Sequence, residues 1–96
     1  MEHIEAIVIP KERVNEYTFI QNEVLASKVD IKQRKIDLNR ALILGNAYRR
    51  KVKVIFETTK GLCQVETTIW AVTEKNVILK GGKIIPINSV HRVRVY

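Results

Sequence analysis

A single cysteine, Cys63, stands among 96 residues, so no internal disulfide staples the chain and neither a zinc knuckle nor a redox dithiol has its ligands. Histidine is nearly as scarce, with only His3 and His91, and no metal-spaced ligand set can be assembled from them. No window approaches the roughly 20 apolar residues of a membrane span. The opening "MEHIEAIVIPKER" begins acidic and holds only a short apolar run, where a signal peptide needs a basic start and a longer apolar stretch. These absences point to a reducing, cytoplasmic home, no membrane partner, and a fold held by its core alone.

That core is affordable. A hydrophobic share of 46% beside 28% charged residues is ordinary for a globular chain, and 96 residues suffice for one domain with a modest interior, though not for a cleft with its own lid. The formal charge of +7 is unevenly spread. Residues 1–27 carry two basic side chains against five glutamates, whereas residues 28–53 carry nine against Asp30 and Asp37. A basic middle of this kind either holds phosphates or is a solvated face that keeps the protein soluble.

Period-two patterning begins near residue 51. Val52, Val54 and Phe56 alternate with lysines and Ile55; Val65, Thr67, Ile69 and Ala71 alternate with Glu66, Thr68 and Trp70. "NVILK" and "KIIPI" continue the series, the latter at an edge because Pro86 has no N–H to give a ladder. "NSV" suits a single helical turn, and "HRVRVY" is a last strand with Val93 and Val95 inward. Turn signals at Lys60-Gly61, Lys75-Asn76 and Gly81-Gly82 separate the runs. The fold class expected is mainly β with an N-terminal α part: five antiparallel strands over residues 51–96, bent into a small barrel.

The stretch from Gly61 to Val93 resembles the SH3-like and Sm-like small barrels, without residues matching the Sm uridine site. The segments "RALILGN", "KVKVIFE", "VETTIWAVTEKNVILKGG" and "IPINSV", over about residues 37–95, resemble a group of short uncharacterised bacterial proteins. The resemblance implies a compact domain and supplies no catalytic residue.

Ahead of the strands, Asp30 and Gln33 read as a capping box, Gly45 as a left-handed stop, and Ile31, Leu38, Ala41 and Leu42 as the buried stripe of a docking helix over about residues 31–44. Earlier still, Pro10 suits a first helical position and Val14, Tyr17 and Val24 recur at helical spacing, which makes residues 1–50 a largely helical extension, although "YTFIQNEVL" reads equally well as a strand.

Chemistry is sparse. Glu57, Glu66 and Glu74 pair with lysines by default, "KGGK" is a turn rather than a phosphate loop, His91 is a satisfied half-buried side chain, and Cys63 is a small buried hydrophobe. No enzyme activity, metal or cofactor is expected. Two binding classes stay open. In the first, Arg34, Lys35, Arg40, Arg49, Arg50, Lys51 and Lys53, with Arg92 and Arg94, hold the phosphates of RNA or DNA beside Tyr48. In the second, the protein is an interaction domain that pairs with another copy, as a homo-oligomer, or with a protein partner. Trp70 is an interaction candidate: parity puts it on the wet face, and only a bulge would turn it under the helix, the favoured outcome in a sharply bent strand.

Overall fold

The computed structural model describes residues 5–95, so His3 and Tyr96 lie outside the described part. The protein is mainly β, with one long helix and two sheets. The first sheet comprises β1 (Ile7–Val8), β2 (Val52–Thr58), β3 (Gly61–Thr67) and β7 (Val90–Arg94), in the order β1-β3-β2-β7. Between β3 and β7 in the chain, β4 (Ile69–Val72), β5 (Asn76–Leu79) and β6 (Ile84–Pro86) form a second, antiparallel sheet. Pro86 lies on an outer strand of that sheet, as its missing N–H requires. A short 3₁₀ turn, Ile87–Ser89, leads into β7.

The long second strand expected in a five-stranded barrel is corrected by this arrangement. It breaks at Thr68 into β3 and β4, which belong to different sheets, and among the described residues no ladder closes the two sheets into a ring. The reason is the supply of partners. Val52, opposite Thr67, is the first residue of β2, so beyond it the chain has no neighbour on that side. It turns to β5 instead: the Thr68 carbonyl accepts from Lys80 N at 2.8 Å, and Ile69 pairs with Leu79. Between the sheets, Val54, Phe56, Cys63 and Val65 pack in one buried cluster with Ile69, Val77, Leu79 and Ile85.

The helix α1 (Lys28–Tyr48) is longer than the sequence pattern suggests, and both of its ends are corrected. Ser27, rather than Asp30, caps it, its Oγ accepting from the N–H groups of Val29 and Asp30, while Gln33 donates to Asp37 at 3.0 Å. Nor does Gly45 stop it. A Cβ there would lie 2.4 Å from the carbonyl oxygen of Ile69 and 3.0 Å from the Thr68 methyl, so this glycine is where helix and strand backbones touch. The stop is Arg49, in the left-handed region at φ 55°, where the N–H groups of Arg49 and Arg50 bond the carbonyls of Gly45 and Leu44. Of the expected apolar stripe, Leu38 and Ala41 are buried, whereas Ile31 and Leu42 are only half-covered. The face against the sheets is Arg34, Leu38, Ala41 and Gly45, one charged, one large and two small residues.

Residues 5–27 are not a helical extension, which is a further correction. A 3₁₀ helix, Lys11–Glu16, buries Val14, and the chain then runs extended along the end of β2, Ile20 N donating to the Glu57 carbonyl and Thr59 N to that of Thr18. With β1 parallel to β3, this segment wraps the first sheet and lends Ile9 and Val14 to the core.

Substitution at the helix–strand contact checks this packing. In an exposed helix, alanine for glycine is favourable by about 1 kcal/mol. Here Gly45→Ala is expected to destabilise by about 1–3 kcal/mol, because neither backbone can yield without lifting α1 from β4. Leu38→Ala should cost about 2–5 kcal/mol. Urea midpoints measure both, and an unchanged or raised midpoint for Gly45→Ala would place helix and strand farther apart than described.

Candidate nucleic-acid interface

The basic middle of the sequence does not form one surface. Arg34 leaves it altogether: only 5% exposed, it donates two bonds to the Glu23 carboxylate, at 2.6 and 2.5 Å, and one to the Val90 carbonyl at 2.9 Å. Its charge is spent on joining the acidic segment, α1 and β7, so the expectation that Arg34 holds a phosphate is corrected.

The rest of the helix sorts by flank, because each residue turns the side chain by about 100°. Lys28, Lys32 and Lys35 fall on one flank and, with Ile31, Leu38, Val72, Ile87 and one acid, Glu74, line a groove of about 640 Å³ between α1 and the far end of β4. Asp30, Gln33 and Asp37 fall on the other, in a recess shared with His91 and Arg92. Arg40 is exposed outside both recesses. Lys28 and Lys32 belong to the basic middle but are not among the site residues singled out from the sequence, although their spacing of four and then three residues to Lys35 is the signal of a single flank.

Farther along the lysine flank, where α1 meets the start of β4, a second recess of about 380 Å³ is lined by Gly45, Asn46, Arg49, Thr68, Trp70 and Lys80. The bulge foreseen in this strand exists, the register shifting between Ile69 and Ala71, yet Trp70 remains 49% exposed. The expectation of a buried or helix-covered indole is therefore corrected. The bulge keeps Ile69 in the core and leaves Trp70 outside. Half of a side chain that could bury up to about 250 Å² stays wet, roughly 3 kcal/mol of unrealised apolar burial. Arg50 and Lys51 are exposed beside Arg49; Tyr48 is also exposed but does not line this recess. Lys80 and Asn46 are the contributors that sequence reasoning missed, since only the fold brings the β5–β6 turn to the helix end.

Lys53, Arg92 and Arg94 sit elsewhere, on the first sheet, with Arg94 opposite Lys53 and Glu66 on the other side of Lys53 in the ladders. That face is mixed in sign and apart from the helix flank. His91 is half-buried, its Nε2 2.7 Å from Glu57 Oε1. Cys63 is fully buried. Among the described residues no group of three or more His, Cys, Asp or Glu is placed to hold a metal, and no helix is long and apolar enough to cross a membrane. Comparison with family models, curated proteins and solved structures finds no significant match to the chain.

The Glu23–Arg34 pair gives a pH signature. Arg34's hydrogen bonds hold the Glu23 carboxyl below the usual carboxylate range, against the opposing pull of burial. A carboxyl depressed in the folded state contributes stability that is full above its unfolded pKa and is lost as pH falls through its folded one. Glu23→Gln should therefore cost about 1.5–3 kcal/mol at neutral pH. The gap to wild type should close as the carboxyl of wild type is titrated in acid. A gap independent of pH would assign the energy to packing.

Proposed function

We propose that the protein is a non-enzymatic binding module that associates with nucleic acid along the lysine flank of α1. The single observation carrying this reading is the segregation of charge around the helix. Lys28, Lys32, Lys35 and Arg49 line recesses on the side facing β4, where Glu74 of the β4–β5 turn is the one acid, while Asp30 and Asp37 line the opposite side with Arg92. A helix of 21 residues is about 30 Å long, so such a flank tracks several successive phosphates. Contacts of this kind hold a polyanion without reading its sequence. The reading extends to the fold: two sheets joined through the kink at Thr68 are taken as a small SH3-like barrel opened along its seam, with α1 laid over the opening.

A second reading has its own observation. Val29, Ile36 and Ile43 stand seven residues apart and exposed on the outward side of α1, a stripe suited to another copy of the chain or a protein partner. Size determination by light scattering separates the two, because assembly through that stripe predicts a dimer whose stability rises rather than falls with salt.

Arg49 provides a test in which folding and binding part company. A glycine is preferred at its left-handed position, so Arg49→Gly should leave the unfolding midpoint unchanged or raise stability by up to about 1 kcal/mol. It should nonetheless weaken binding to labelled oligonucleotides at low salt and lower the slope of log affinity against log salt by about 0.7–0.9. Changing Arg49, Arg50 and Lys51 together to alanine should deepen both effects. Anisotropy titrations across a salt series measure them; a wild-type protein that binds no oligonucleotide at low salt would refute the proposal.

A further inference from the structure

We infer that the recess at the C-terminal end of α1 takes one unpaired nucleotide, its base stacked on Trp70 and its phosphate held by Arg49 and Lys80, so that the protein prefers single strands to duplex. The inference rests on the nucleic-acid reading above and names the ligand of one part of that surface.

Three features meet there. Trp70 is held at a bulge with half its surface in water, a flat apolar face on a strand that cannot fold away. Two cations, Arg49 and Lys80, come from different elements to the same recess, and no acidic side chain lines it. Asn46 adds an amide that can both donate and accept at a base edge. The volume, about 380 Å³, lies at the small end of the roughly 300–1,000 Å³ typical of ligand sites, a size for one nucleotide rather than a base pair. In a duplex each base is already stacked on both faces, so the indole would gain nothing; an unpaired base offers it a free face. An acidic peptide would satisfy the cations equally well but leave the indole without a planar partner.

The chain holds one tryptophan, so emission excited at the red edge, beyond the absorption of its three tyrosines, reports on this recess alone. Wild-type protein is titrated at low salt with a short oligothymidine, an abasic oligomer of equal charge, and a duplex of equal length. Binding is followed in parallel by anisotropy of a labelled strand. The expected result is strong quenching by the oligothymidine and little by the other two. Trp70→Ala should weaken single-strand binding by roughly 10- to 100-fold while leaving the salt slope unchanged, since no phosphate contact is lost, and Trp70→Phe should recover part of the affinity. Equal quenching by the abasic oligomer, or a Trp70→Ala protein that binds the single strand as wild type does, overturns the stacking assignment and leaves the nucleic-acid reading standing. Absence of binding to all three oligomers overturns both.

Discussion

The contact between Gly45 and the carbonyl of Ile69 governs the architecture. Ile69 is the first residue of β4, immediately past the point where the chain leaves one sheet for the other, and the helix can lie against that bend only because residue 45 has no side chain. Close approach there brings Leu38 and Ala41 into the cluster between the sheets, and it sets the end of α1 against Thr68 and Trp70. A helix held off by one methyl group would uncover the core at its open side and widen the recess at once. Packing and the candidate site are thus consequences of the same missing side chain.

At the other end of the helix the fastening is polar. Arg34 occupies a position that a leucine would fill in an ordinary amphipathic helix, and its buried charge is tolerated because Glu23 and the Val90 carbonyl take its donors. A buried ion pair contributes little net stability compared with a well-packed apolar residue; what it supplies is specificity, since any other docking of α1 would strand the guanidinium. The acidic N-terminal segment is thereby tied to its own chain's helix. Glu23, one of the five glutamates of residues 1–27, thus meets a basic residue of its own chain.

Much of the β part was legible because its residues obey local rules. Val52, Val54, Phe56, Val65 and Val93 alternate as a half-buried strand demands, and Gly81 and Gly82 take the positive φ of a turn, 90° and 86°. The misreadings fall where a distant contact decides. Nothing local at Thr68 marks a change of sheet, because the cause is the place where β2 starts. Gly45 mimics a helix stop, and only the proximity of β4 shows its use. Arg34 looks like surface charge until Glu23 and Val90 are brought beside it. The first 27 residues have a helical rhythm too weak to compete with hydrogen bonds offered by the end of β2.

Two departures from local rules coincide at one place. Arg49 holds a left-handed backbone that glycine would take at no steric cost, and Trp70 keeps about half its surface in water although a core lies directly beneath the strand. Arg49 lowers stability relative to glycine, and Trp70 leaves about half of its potential apolar burial unrealised. The left-handed turn is offset by the bonds that the N–H groups of Arg49 and Arg50 make to the carbonyls of Gly45 and Leu44, bonds that glycine at 49 would make as well, so the helix stop does not require the arginine side chain. Exposed large apolar side chains occur elsewhere as well, Val8, Val29, Ile43 and Ile84 among them. Arg49 and Trp70 share a single recess with Lys80, which comes from the β5–β6 turn. The helix stop and the strand bulge, two backbone features with separate local causes, therefore fix an aromatic face and a cation side by side.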